Sequence, residues 1–156
     1  MAVSVLTIKN QLKTIIENAN TVTSSYNISD GLKKKVQLIS GANSQRKPTS
    51  NLDYPAIFVE VQSESDELYL MGKTSNRNVT INIDVVTVIQ YMPDIETVDD
   101  ETIRLVDNLQ DLLRNNIKLS NTVDECIITG TDYSAEYVED FYNSQSRMNL
   151  LIKKRG

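Results

Sequence analysis

Four groups of residues in this chain have the types from which chemistry is built. Glu60 and Asp84 fall on the polar parities of two strand-like runs, 56–62 and 78–92. On adjacent strands they would form the paired carboxylates that general acid and base catalysis uses. No electrophile, glycine cradle or base accompanies them, and carboxylates on a polar strand face are solvated by default. Asp94, Glu96, Asp99, Asp100 and Glu101 crowd into one short stretch and invite a cation. A calcium loop, however, needs its ligands at defined alternate positions with a glycine, whereas carboxylates placed just before an apolar-periodic run suit the positive end of a helix. Lys33, Lys34 and Lys35 are a charge source for phosphate, but without a glycine loop or a helix N-terminus they supply no geometry. Cys126 is the single cysteine and the chain has no histidine. The commonest metal ligand and general base is therefore missing, no internal disulfide can form, and the thiol reads as a small buried apolar group. The expected sets of catalytic, cofactor-binding and metal-binding residues are empty, and the chain is not expected to be an enzyme.

What positions these residues is a long alternating run. In Asn78–Met92 the odd positions Val79, Ile81, Ile83 and Val85 are apolar and Thr80, Asn82 and Asp84 are polar, the period of a half-buried strand. From Val85 to Ile89 both parities are apolar except Thr87, so that half should be covered on both faces. At ~3.3 Å per residue the run reaches ~50 Å, longer than most strands, and it must bend, bulge or project. Before it, 56–62 alternates Ile57, Val59 and Val61 against Phe58, Glu60 and Gln62, with Pro55 at its start, where a missing donor does least harm. Ser63–Glu67 reads as an acidic turn, 68–71 as a returning strand and 72–76 as a second turn.

Two amphipathic helices complete the plan. Val5, Ile8, Leu12, Ile15 and Ala19 recur at three- and four-residue spacings over 3–20, with Ser4 as a cap. Over 98–117, Ile103, Val106, Leu109, Leu113 and Ile117 form the buried stripe, with Leu105 and Leu112 beside it and Arg104, Asp107, Asp111 and Arg114 outside. Segment 21–53 reads as largely irregular, with a short lysine-edged strand over 34–40. Strands follow at 123–129, with Gly130 as a bulge or bend, and around Met148, Leu150 and Ile152. Tyr133, Tyr137, Phe141 and Tyr142 are either core lids with wet hydroxyls or interface anchors. The expected fold class is α+β: one domain over 1–156, a mainly antiparallel sheet with a long β-ribbon, and two amphipathic helices packed on one face.

A chain of 156 residues can bury a core without staples. Lys9 and Lys13 interrupt any leader-like run, and no apolar stretch approaches the ~20 residues of a membrane span, so a cytoplasmic site of assembly is expected. Net charge is −5, unevenly spread. Residues 1–50 carry seven Lys/Arg against Glu17 and Asp30, residues 51–150 carry six against nineteen acids, and Lys153, Lys154 and Arg155 close the chain. This is either ordinary solvated surface or a basic face of one copy meeting an acidic face of the next. The basic residues are too few, and too little interleaved with aromatics, for sequence-specific nucleic-acid binding.

The run Tyr54-Pro55-Ala56-Ile57-Phe58-Val59, the stretch Met71-Gly72-Lys73-Thr74-Ser75-Asn76-Arg77 leading into the alternating ribbon, the acid-capped helix after Pro93 and two closing strands together resemble the tail terminator and tail-completion proteins of long-tailed bacteriophages. The resemblance spans nearly the whole chain. It implies a non-enzymatic virion protein of the tail or neck, assembled in the host cytoplasm, whose subunits form a ring, commonly a hexamer. That ring caps the tail tube, meets neck and connector proteins, and uses no cofactor or membrane. The long segment 21–53 departs from the compact family pattern. The polar, glycine-bearing stretches 41–53 and 72–77 are the expected interaction loops, with Arg46, Lys47, Lys73 and Arg77 offering charge to acidic surfaces of a neighbour or the tube. The alternatives are another neck or head–tail adaptor ring protein, or a binding or adaptor domain of similar α+β build from outside phages, because fold alone does not fix function.

Overall fold

The computed structural model describes residues 4–22, 25–29, 32–35, 37–40, 55–68, 77–91, 95–119, 121, 123–138 and 141–155. Helix α1 spans Val5–Glu17. It starts where Ser4, in extended backbone, accepts the Thr7 N–H on its hydroxyl at 3.1 Å. Ile8, Leu12 and Ile16 are fully buried, while Val5, Ile15 and Ala19 pack at the margin. Helix α2, Ile95–Arg114, begins inside the acidic cluster, where carboxylates suit the helix dipole, and Arg104 donates to Glu101 at 2.7 Å one turn back.

The stripe that α2 buries is rotated from the expected one. Thr102, Leu105, Val106, Leu109 and Leu113 are buried, whereas Ile103 and Ile117 stand about half exposed. Ile117 leaves the core because the helix stops at Arg114, and the turn over 115–119 puts Leu119 into the core instead. Leu119 adopts φ 44° to do so, a left-handed conformation that burial of its side chain holds in place.

Seven strands are described: β1 (Ser25–Ser29), β2 (Leu32–Lys35), β3 (Gln37–Ser40), β4 (Ala56–Leu68), β5 (Arg77–Tyr91), β6 (Glu125–Val138) and β7 (Phe141–Arg155). β1 and β2 form an antiparallel pair. The main sheet has the order β3-β4-β5-β7-β6, antiparallel except for β3 on β4. The fold class is therefore α+β, with a mainly antiparallel sheet and both helices on one face. The alternating run is one strand, hydrogen-bonded to β4 and β7 on its two sides. It does not project as a lone ribbon; the bends sit in its neighbours, at irregularities between Val61 and Ser63 and between Ile128 and Gly130.

Several boundaries move. The acidic turn expected at 63–67 is strand, because β4 continues through it to Leu68. Residues 25–29, expected to be irregular, pair with the lysine run as β1–β2, and the single strand expected over 34–40 divides into β2 and β3. Alternation of Tyr26 and Ile28 with Asn27 is too short to stand out from a Ser/Thr/Asn-rich background. The closing strands are also longer than expected, 125–138 and 141–155.

Both helices pack on the face formed by Ile57, Val59, Ile81, Ile83, Val85, Ile89, Met148, Leu150 and Ile152, with Cys126 joining from β6. At ~1.5 to 3 kcal/mol per buried aliphatic side chain, this single cluster is the dominant source of stability. Val61, expected on this face, is exposed at the β4 irregularity. The opposite face carries a second buried group, Ala56, Phe58, Val86 and Val88. The two-sided burial expected for 85–89 is thus present.

Candidate functional site

Glu60 and Asp84 are direct register partners across β4 and β5, as their parities require. The sequence left them as an uncompensated carboxylate pair; the structure supplies their cation. Arg147 on β7 donates through Nη1 to Asp84 Oδ2 at 2.6 Å and to Glu60 Oε1 at 3.1 Å, and Gln62 also donates to Glu60 Oε1. Burial alone lowers the Arg147 guanidinium, but its hydrogen bonds to Asp84 and Glu60 more than offset that and leave it above its ordinary value. Asp84 is only 7% exposed, so this is a partly buried, charge-assisted network rather than a solvated pair. Two carboxylates held by one guanidinium fix the register of three strands.

Arg147 escaped the sequence reading because the last strand was recognised only from Met148 onward. Its parity, opposite to Met148, Leu150 and Ile152, is the signal that places it on the face of Glu60 and Asp84.

On the helix-covered face, polar residues interrupt the core at one end. Thr87 and Ser146 are register partners whose buried hydroxyls hydrogen-bond to each other. Beside them, Asp99, Thr102 and Ile103 of α2, Tyr133, Ser134 and Ala135 of β6 and Ser144 of β7 line a groove of about 410 Å³. Gln110 ties α2 to β6 next to it, donating to Thr131 Oγ1 at 3.3 Å. The irregularity between Ile128 and Gly130 is what makes the groove: it shifts β6 parity, so that after Cys126 and Ile128 the residues aligned with the core rows of β7 are Thr131, Tyr133 and Ala135. Burial and the negative Asp107 push the Tyr133 phenol above its ordinary value. Near neutral pH it is a hydrogen-bond donor, not a base. The groove offers hydroxyls, one carboxylate and an apolar wall, suited to binding a polypeptide or small polar ligand.

Cys126 is buried, and burial pushes its thiol up to about 11, consistent with a packing role. Among the described residues, no three carboxylate or thiol side chains converge as a metal site, and no helix is long and apolar enough to cross a membrane. Arg46, Lys47 and Lys73 lie outside the described residues. Arg77 is the first residue of β5, in register with Leu68, rather than part of the turn before it. Neither a protein-family model nor any curated protein matches the chain.

Proposed function

We propose that this chain is a non-enzymatic structural protein of a bacteriophage virion: a tail terminator whose copies close into a ring, six-fold in the family it resembles. The ring caps the tail tube and joins the tail to the head through neck and connector proteins. The observation that carries this reading is architectural. The element order behind the resemblance folds as a mainly antiparallel sheet with both helices on one face. Charge supports assembly as well: α2 presents exposed Asp100, Asp107 and Asp111, while residues 1–50 are net basic, a pairing that attracts neighbours head to tail and repels them across a two-fold axis. The engagement of Glu60 and Asp84 by Arg147 further favours a structural role.

In this reading Arg46, Lys47, Lys73 and Arg77 meet acidic surfaces of the neighbouring subunit or the tube. Tail assembly in extracts that lack the chain tests the proposal. Tubes of uncontrolled length that fail to join heads, corrected by adding the purified protein, are the expected result. Tubes of normal length that still fail to join heads would instead make it another neck or head–tail adaptor ring. The groove between α2 and β6 favours a second reading, a binding or adaptor domain outside phages. Unaltered tails together with a monomer that retains a ligand in that groove would establish it.

A further inference from the structure

The structure assigns a docking edge: we propose that Thr131–Ser134 of β6 receives β3 of a second copy of this chain as an added antiparallel strand. The inference rests on the ring reading above and names the strands that close it. β3 and β6 are the two ends of the sheet order, and among the described residues each has a strand neighbour on one side only. Their level in the sheet is the decisive point. Following register partners from strand to strand, Gln37 aligns with Ala56, Val88, Gln145 and Ser134, and Ser40 aligns with Val59, Val85, Met148 and Thr131. The four residues of β3 thus stand at the same height as Ser134–Thr131, four strand spacings or roughly 20 Å away.

Chain direction agrees. β3 runs parallel to β4, and the three antiparallel steps to β6 leave β6 opposed to β3, so a neighbour placed by head-to-tail repetition brings its β3 antiparallel to β6.

The edge is prepared for a partner. β6 has neither proline nor lysine, the usual guards of an exposed strand, and its irregularity lies before Gly130, leaving the following stretch regular. The groove beside Tyr133, Ser134 and Ala135, with half-exposed Ile103 on its far wall, is placed to take alternate side chains of an added strand. Charge selects the occupant. Asp132 on β6 and the acids of α2 stand on the receiving side, while Glu125 is engaged within the subunit by Lys153 at 4.0 Å; the strand leading into β3 is Leu32-Lys33-Lys34-Lys35.

Cysteine cross-linking of the full chain tests this. Gln37→Cys and Ser134→Cys are made singly and together, oxidised mildly at high micromolar concentration and separated without reductant; Cys126 is buried and stays out of the reaction. A ladder of covalent multimers from the double variant alone is expected. Dimers from Ser134→Cys alone would show two-fold β6 pairing and overturn the proposal, as would a double variant that remains uncrosslinked. Tyr133→Lys, at an exposed position that leaves the core intact, should convert the assembly to monomer by light scattering; an unchanged mass would also overturn it. A chain that joins through other surfaces fails the cross-link yet still corrects tails in the extract, so failure here is distinct from failure of the terminator reading.

Discussion

Removing Arg147 probes the three-strand network directly. Arg147→Met keeps much of the aliphatic stem but removes the guanidinium that bridges two register-paired carboxylates, one of them 7% exposed. Breaking a fully buried pair costs about 3 to 5 kcal/mol. The Arg147 side chain keeps 30% of its surface in water, which screens the interaction, so we expect a loss of about 2 to 3 kcal/mol. Urea unfolding at pH 7, with an unchanged slope, is the assay. Replacing all three groups, Glu60→Gln, Asp84→Asn and Arg147→Met, should recover much of the loss, because the carboxylates that Arg147 bridged are removed together with it. A loss below about 0.5 kcal/mol for Arg147→Met, the scale of an exposed pair, would refute the bridging role given to Arg147.

Thr87→Val leaves the buried Ser146 hydroxyl without its partner and should cost about 1 to 3 kcal/mol, while Thr87→Val with Ser146→Ala should cost much less; a denaturant double-mutant cycle reads the difference. Ser4→Ala removes the α1 cap and should lower stability by about 1 kcal/mol, with no effect on assembly mass. Because folding raises the Cys126 thiol from 9.0 to about 11, its contribution is complete below pH 9 and is lost as pH rises through 11, roughly 3 kcal/mol in all; Cys126→Ala should flatten stability measured across that window. Trypsin should cut the free protein after Arg46 faster than the assembled one, and equal rates in both states would remove the interaction role given to that residue.

The parts of the fold legible in the sequence were those set by short-range periodicity. Period-two alternation placed β5 to within a residue at each end, and three- and four-residue spacing placed α1 with its cap. Signals failed where polar residues occupy strands for reasons of register. Ser63, Ser65 and Glu67 looked like a turn, but β5 lies alongside and pairs with each of them, and Asn82 donates to Ser63 Oγ at 2.8 Å. The rotation of α2 was hidden for a similar reason. Thr102 is buried while Ile103, on the same groove, stays half exposed, and a periodicity count has no means of preferring a threonine over an isoleucine for burial.

The site was less legible than the fold because it depends on which strands become neighbours. Glu60, Asp84 and Arg147 span 87 residues between first and last, and their meeting depends on β7 inserting between β5 and β6 instead of adding to the outside of the sheet. That insertion also makes β6 an edge. Had β6 and β7 exchanged places, Arg147 would stand one strand further from Asp84, and the receiving edge would be β7, which ends in Lys153, Lys154 and Arg155. Such an edge would meet the lysines leading into β3 with like charge. One topological choice thus neutralises the carboxylate pair inside the subunit and leaves an acidic edge outside it. The Gln37→Cys/Ser134→Cys cross-link reads the second half of that choice, and Arg147→Met reads the first.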